Sequence, residues 1–447
     1  MTLNKKLIEL EDEKAISLHV PGHHNNTIGS LNQLNLAMDK TEITGLDDLH
    51  QPEGCIKESM DLLNRFPQYT GQYLVNGTTV GILSAIYAVQ HLKGEILIPR
   101  NAHKSIYNAL NLTRQDARWM PMTVSEITGQ YNGVGNLSGI DLSNVKLAIF
   151  TYPNYYGETF NIDESIKLLQ KHHIPVLVDE AHGAHFGISS YFPESTLTHD
   201  ADIVVQSYHK TLPALTMGSV MYINDNLNLK SKIQDYLTML QSSSPSYLIM
   251  SSLEHAEDFY KRFDDEVFKN KRTQLIASIK RTGFYVGCLE DPLKLIVSHD
   301  HLTGFEVQRV FEDSHIYVEL CNENYVLIVL PLWHDNDRFP FEILLERISH
   351  INIEGNNQKI EKTQMKLPVH SANKKYNDIE KIHEIELNKS VNRISAVDVI
   401  PYPPGIPVIL KGEQITKEVV DSLLQWIDNG GRVEGIINKY IKVKDEQ

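Results

Sequence analysis

The chain has 447 residues, of which 41% are hydrophobic and 22% are charged. A chain of this length and composition buries a large core and divides into more than one structural unit, so overall disorder is excluded. The formal net charge of −15 argues against nucleic-acid binding, which needs a basic face. The same charge gives a small cation a weakly attractive field.

The three cysteines, Cys55, Cys288 and Cys321, are far apart and lack the spacing of metal ligands. The sequence therefore predicts neither a disulfide framework nor a metal site. The N-terminal residues are charged throughout, unlike a secretory signal, and the longest apolar runs are too short to cross a bilayer. We expect a cytoplasmic protein that binds neither nucleic acid nor membrane.

Between residues 70 and 225, short apolar runs alternate with helical patterns. The runs are rich in β-branched residues and end in polar ones, and they span 95–100, 145–153, 174–183, 201–210 and 218–224. Such runs are typical of strands buried on both faces of a mostly parallel sheet. Ligands bind beyond the carboxyl ends of these strands, so we expect a site there.

Helical patterns continue to residue 280, and a second unit is expected after them. It contains strand-like YVLIVLPLW, a helix near FEILLERISHI, a polar connector at 352–364 and an extended proline-rich segment at 391–415. A last helix is expected to stop at Gly430 and Gly431.

Four motifs carry the candidate chemistry: NGTTVG (76–81), RNAHKS (100–105), VDEAHG (178–183) and QSYHKT (206–211). The amides of Thr78 and Thr79 can hold a phosphate at a helix N-terminus, although ordinary capping is the more common explanation of such a loop taken alone. His103 can lie flat over a heteroaromatic ring or be a structural histidine. Asp179 can pair with a pyridine nitrogen or cap a helix. Lys210, beside the strand end, can have the lowered pKa that imine formation requires.

The order of these motifs resembles the fold-type I ornithine/lysine/arginine decarboxylases, which use pyridoxal 5′-phosphate (PLP). The resemblance includes VPGHH near residue 20, GLDDLHQPEG (45–54), TYPNYYGE, VQSYHKTLPALT and SSSPSYLIMSSLE, and it resumes at NRISAVDVIPYPPGIP. It covers most of residues 19–255 and the stretch near 391–415.

The resemblance implies an α/β fold: a large domain of PLP-dependent fold-type I (aspartate aminotransferase-like), with a mostly parallel sheet, and a smaller α+β C-terminal domain. The implied units are an N-terminal arm (1–20), a PLP-binding domain (21–290) and a C-terminal part (291–447) that includes the PYPPG element near 401–405. We also expect a short form without the N-terminal wing domain of the large bacterial enzymes.

The resemblance also implies a role for each site residue. Lys210 would carry the cofactor, Asp179 would pair with the ring nitrogen, and His103 and Ala181 would cover the two ring faces. His182 would lie near the cofactor's phenolic oxygen or the substrate. The phosphate would be cradled by Gly77, Thr78, Thr79, Ser207 and His209. Ser244 and Ser246 would reach the cofactor of the neighbouring subunit, which implies a homodimer with shared active sites.

The chain departs from the family pattern at His24, Ala102, Tyr208 and Asn392. None of these positions supplies an indispensable chemical group, so catalysis remains expected while the choice of substrate stays open. Arg393 is a candidate substrate contact or a brace for the PYPPG segment.

The implied function is PLP-dependent decarboxylation of a basic L-amino acid, namely arginine, lysine or ornithine, to its amine and CO2, as in polyamine biosynthesis. The alternatives are another PLP reaction, by an aminotransferase or a lyase, and a non-catalytic PLP-binding protein.

Overall fold

The computed structural model describes residues 2–353, 379, 381–402 and 405–445. Most of the connector predicted at 352–364 lies outside the described residues, as do Pro403 and Pro404 of the PYPPG element. Within the described ranges, every helix is too short or too polar to span a bilayer.

The first part of the chain forms the central sheet and its covering helices. Its elements are α1 (Thr2–Asp12), β1 (Ile16–Leu18), α2 (Cys55–Asp61), β2 (Tyr69–Leu74), α3 (Gly77–Ala88), β3 (Glu95–Ile98), α4 (Lys104–Thr113), β4 (Ala117–Trp119), β5 (Met122–Val124), β6 (Tyr131–Val134), β7 (Val145–Thr151), α5 (Asp163–Lys171), β8 (Val176–Asp179), β9 (Ile203–Gln206), α6 (Tyr208–Thr211), β10 (Ser219–Asn224), α7 (Lys230–Leu240), α8 (Tyr247–Arg262) and α9 (Glu266–Arg281).

Seven strands form the central sheet in the order β2-β10-β9-β8-β7-β3-β4. β10 is antiparallel to both neighbours, and the other pairs are parallel. Along β7, Leu147 and Ile149 belong to the core on one face, whereas Ala148 and Phe150 belong to the core on the other. This alternation explains the continuous apolar runs, because both faces of each central strand are buried. The carboxyl ends of β2, β3, β7, β8 and β9 consequently share one edge.

A second sheet follows. Its elements and their neighbours are β11 (Tyr285–Cys288), β12 (Lys294–Ser298), α10 (Gly304–Asp313), β13 (Ile316–Val318), β14 (Leu320–Cys321), β15 (Val326–Val329) and α11 (Phe341–Ser349). The strands pair antiparallel in the order β11-β12-β15-β14, while β13 pairs in parallel with β1 of the N-terminal arm. The proposed boundary after residue 290 falls between β11 and β12, and the division into domains remains a proposal.

The last part of the chain has a core of its own. Its elements are β16 (Ile382–Glu386), β17 (Ile400–Tyr402), α12 (Lys417–Asp428), β18 (Arg432–Glu434), β19 (Ile436–Ile437) and β20 (Tyr440–Lys444). Its buried apolar residues are Leu387, Val399, Ile409, Ile415, Val420, Leu423, Ile441 and Val443. The unit also contacts the large domain, since the N–H of Lys104 donates to Gly405 O at 3.1 Å.

We predict that His24 makes the protein less stable in acid. Its ring is buried, its Nδ1 bonds to Ser17 O at 2.9 Å, and burial lowers its pKa to about 3. Because the unfolded chain takes up the proton near pH 6.5, this stabilisation is complete above pH 6.5. The stabilisation is lost progressively as the pH falls towards 3. At pH 5 the loss amounts to about 2 kcal/mol.

Between pH 7 and pH 5, the unfolding free energy of the wild type should therefore fall by about 2 kcal/mol more than that of the His24→Gln variant. Urea unfolding at the two pH values measures this difference. His350→Gln, at an exposed helix end, is the matched control. An unchanged pH dependence in His24→Gln would contradict the prediction.

Candidate active site

Lys210 lies at the shared carboxyl edge of the sheet, in the short helix α6 that directly follows β9. Its Nζ is 3.0 Å from His182 Nε2. Burial lowers the pKa of Lys210, and the charges of Asp179 and Glu319 oppose that shift. The amine is therefore more often uncharged than an exposed lysine, which is the form that attacks a carbonyl.

Asp179 is the last residue of β8, and its side chain is only 4% exposed. Among the described residues, its carboxylate accepts one hydrogen bond, from Ala181 N at 3.2 Å. Burial raises the pKa of Asp179, and the positive charge of Lys210 opposes this. A buried carboxylate with so few donors is costly unless a cationic group pairs with it.

His182 is held close to Lys210 in its uncharged form. Burial, and after it the charge of Lys210, lowers the pKa of His182 well below its ordinary value. When the lysine amine donates to Nε2, the neutral ring carries its proton on Nδ1, a buried atom that has no partner among the described residues. The Tyr155 ring lies against it, with centroids 4.4 Å apart.

His103 begins helix α4 and caps it, since its Nδ1 accepts from Ser105 N at 3.3 Å. Burial lowers the pKa of His103 to about 3, so its ring is neutral near pH 7. A Cβ placed on Gly405 would lie 3.3 Å from the edge of this ring. The capping role of His103 and its predicted ring-stacking role are thus compatible, because capping uses only one ring nitrogen.

The predicted phosphate cradle is formed by two loops. Gly77 has a φ of +75° and opens α3, which Asn76 does not cap through its side chain, so the amides of Thr78 and Thr79 are available to an anion. Thr78 Oγ1 lies 3.1 Å from Ser207 Oγ.

His209 lies beside this cradle, but its uncharged ring is less suited to binding a phosphate. Its Nδ1 bonds to Gly218 O at 3.0 Å, and burial lowers its pKa to about 4. In that neutral tautomer Nε2 is an acceptor, so a phosphate contact from His209 requires the ring to be protonated.

These residues fit PLP. The buried carboxylate suits its ring nitrogen, the lysine amine suits its aldehyde, and the hydroxyls and free amides suit its phosphate. The unpartnered Nδ1–H of His182 suits its phenolic oxygen. The role of each residue in binding the cofactor stays a prediction.

The VPGHH motif supports α6 from behind. Gly22 N donates to His209 O at 2.8 Å, and a Cβ on Gly22 would meet the backbone of Thr211 and Leu212 at 2.7–2.9 Å. Only glycine allows this approach. His24, where the family usually has lysine, is buried and bonds to Ser17 O, away from Lys210.

The other departures from the family pattern have physical explanations. Tyr208 points into the core, where its hydroxyl is 2.7 Å from Tyr222 Oη and accepts from Arg65 Nη2 at 2.8 Å. Asn392 has a φ of +67°, a conformation that asparagine tolerates better than most residues. Ala102 is fully buried in the core.

Two groups of predicted site residues are not brought to Lys210 in the single chain. Ser244 is exposed, and Ser246 caps α8 by accepting from Ile249 N at 3.3 Å. The backbone of Arg393 bonds to Ser390 O at 3.0 Å and Ile415 N at 2.9 Å within the C-terminal unit. Its N–H and carbonyl thus take part in the fold of that unit, and the role of its side chain stays a prediction.

Sequence reasoning missed three residues around His182, namely Tyr155, Lys294 and Glu319. Lys294 Nζ donates to Tyr155 O at 2.8 Å, and the Tyr155 hydroxyl donates to Glu319 Oε1. Tyr155 lies in the TYPNYYGE motif, which was the available signal. Lys294 and Glu319 lie between residues 260 and 385, where no family motif is recognisable.

Known proteins resemble this chain over most of its length. Residues 2–283 match the major domain of the Orn/Lys/Arg decarboxylases, and residues 356–433 match their C-terminal domain. The chain is 36% identical to the uncharacterized protein YaaO of Bacillus subtilis over 100% of this chain and 97% of that one. It is 30% identical to the arginine decarboxylase of the same organism over 94% of this chain and 92% of that one.

Among solved structures, the constitutive lysine decarboxylase of E. coli superimposes with a TM-score of 0.67 at 17% identity. The match covers 88% of this chain and 74% of that one. The fold and the site define a PLP-dependent enzyme of fold-type I, with a smaller C-terminal part. The chain belongs to the Orn/Lys/Arg decarboxylase family, and it is a PLP-dependent decarboxylase.

We predict that Asp179→Asn retains part of its cofactor binding but loses activity by about 100-fold or more, because a neutral amide does not hold a proton at the ring nitrogen. Visible absorbance of the purified protein measures the bound cofactor, and CO2 release measures turnover. Asp202→Asn is the matched control, since Asp202 is a partly buried carboxylate near the other end of β9. Wild-type turnover in Asp179→Asn would contradict the prediction.

Proposed function

We propose that the enzyme decarboxylates a basic L-amino acid and that arginine is its preferred substrate. The observation that carries the proposal is the group formed at one sheet edge by the partly buried Lys210 and the buried His182 and Asp179. Four relatives support the choice of arginine, because proteins named arginine decarboxylase match 90–96% of this chain at 26–30% identity. The lysine decarboxylase match in sequence covers only 12% of it.

Each residue has a defined task in this proposal. When bound, PLP supplies an electron sink that stabilises negative charge at the substrate Cα after CO2 leaves. Asp179 holds a proton at the ring nitrogen. Lys210 Nζ and His182 Nε2, which are 3.0 Å apart, can exchange a proton and return one to Cα. His182 is buried and Lys210 is partly buried, which limits the access of water as a competing proton donor.

An aminotransferase is the nearest alternative, and it usually holds the α-carboxylate with an arginine. The two acidic groups Asp179 and Glu319 oppose the lowering of the Lys210 pKa by burial, and the backbone of Arg393 is bonded within the C-terminal unit. This arrangement favours release of the carboxylate. A non-catalytic PLP-binding protein is disfavoured because it would gain nothing from burying Asp179.

We predict that CO2 is released from L-arginine with agmatine as product, at a kcat/KM at least tenfold above that for L-lysine and L-ornithine, about 1.4 kcal/mol. Lys210→Ala is the control and should abolish turnover. Keto-acid formation without CO2 would identify an aminotransferase. Cofactor binding without turnover on any basic amino acid would leave a binding protein, and a preference for lysine would overturn the choice of arginine.

We also propose a cytoplasmic homodimer with shared active sites, which serves polyamine synthesis. The segment Ser242–Ser244 is exposed, and Ser242 N donates to Asn76 Oδ1 at 3.2 Å. The loop therefore lies beside the phosphate-binding loop of its own chain, where a second subunit can meet it.

We predict that inactive Lys210→Ala subunits regain activity when mixed with subunits inactivated by Ser244→Ala and Ser246→Ala. Each mixed dimer has one site with both intact halves, so an equal mixture should recover about a quarter of wild-type activity. The assay is CO2 release after subunit exchange, which mass spectrometry of the intact dimers verifies. Fully active monomers, or no recovery of activity after subunit exchange, would contradict the proposal that the two subunits share their active sites.

A further inference from the structure

Tyr155 connects the second sheet to the catalytic pair. Its backbone oxygen accepts from Lys294 Nζ at 2.8 Å, and its hydroxyl donates to Glu319 Oε1. Its ring lies 4.4 Å from the ring of His182, whose Nε2 is 3.0 Å from Lys210 Nζ. A continuous chain of contacts therefore runs from Lys294 and Glu319 to the cofactor lysine.

Both ends of this chain are anchored. Lys294 is fully buried at the start of β12, three residues after Asp291, which forms a buried 2.9 Å ion pair with His185. Glu319 follows β13, and its Oε2 accepts from Val20 N at 2.9 Å at the end of the N-terminal arm. The two charged side chains thus bond to the backbone oxygen and to the hydroxyl of Tyr155, and they lie on segments that belong to neither β8 nor β9.

We propose that Lys294 and Glu319 are positioning residues that act through Tyr155 to hold His182 against Lys210 and that balance the charge around the lysine nitrogen. This inference rests on the proposed function, because it concerns the same site. It adds residues that touch neither the cofactor nor the substrate in the proposed scheme.

The electrostatics agree with this geometry. Burial, opposed by the charges of Asp291 and Glu319 and assisted by the charge of Lys210, lowers the pKa of Lys294 to about 8. Burial, and after it the charge of Glu319, raises the pKa of Tyr155 well above its ordinary value, so its hydroxyl stays a donor. The groups that face Lys210 are Asp179, Glu319, Lys294, His103, His182 and His209.

The two residues should therefore have opposite effects on a positive charge at Lys210 Nζ. Lys294 disfavours that charge, and Glu319 favours it. A purely structural role predicts no such opposition, because loss of either side chain would then loosen the site in the same way.

The experiment follows the visible absorbance of the holoenzyme as a function of pH, since the band of the cofactor attached to Lys210 changes when this nitrogen is protonated. We expect Lys294→Met to raise the midpoint by about one pH unit and Glu319→Gln to lower it by about one unit. Lys294→Arg should restore the wild-type midpoint. Lys280→Met and Asp313→Asn, at exposed helix ends, are the matched controls.

Tyr155→Phe keeps both charges but cuts the link to Glu319. We expect about a tenfold fall in kcat with little change in KM, because His182 is less well held while substrate binding is unaffected. Shifts of the midpoint in the same direction, or no shift in either charge variant, would overturn the proposal. Should Lys294→Met fail to fold, the Glu319→Gln midpoint decides alone. Absence of turnover would refute the proposed function only, since the absorbance is read without substrate.

Discussion

The site depends on one constraint, which is that an amine and a carboxylate share a space that water hardly reaches. Lys210 and Asp179 each lose solvation there, and burial moves their pKa values towards the neutral forms. Their mutual attraction offsets part of this cost. The folded chain thus keeps a reactive amine close to a carboxylate that has few donors of its own. A cofactor with a basic ring nitrogen offsets this unfavourable arrangement when it binds.

The sheet fixes the positions of these two groups. Asp179 ends β8 and pairs in the ladder with Val205 of β9, the neighbouring parallel strand. Lys210 lies in α6 directly after β9, where its N–H donates to Ser207 O at 3.0 Å. Gly22 then closes the back of α6 at backbone contact distance. A rigid frame on both sides explains how a short four-residue helix can carry the central lysine.

The sequence predicted the central strands and their carboxyl edge because strands buried on both faces leave long apolar runs, as in β7. It also placed Lys210, Asp179 and His103 near the ends of such runs, where the structure has them, while their roles stay predictions. It did not predict Lys294, because a buried lysine looks like a surface lysine until the tertiary contacts are known. Nor did it predict Glu319 or the role of Tyr208, whose partner Arg65 lies 143 positions away in the sequence.

The C-terminal unit has its own core, yet it forms part of the wall around His103. Gly405 lies against the edge of that ring, and Glu434 forms a 2.7 Å ion pair with Lys104, the first residue of α4. The unit is therefore not an exchangeable module. A C-terminal unit from a relative would have to reproduce this small contact surface, so the two parts of the chain are expected to change together during evolution.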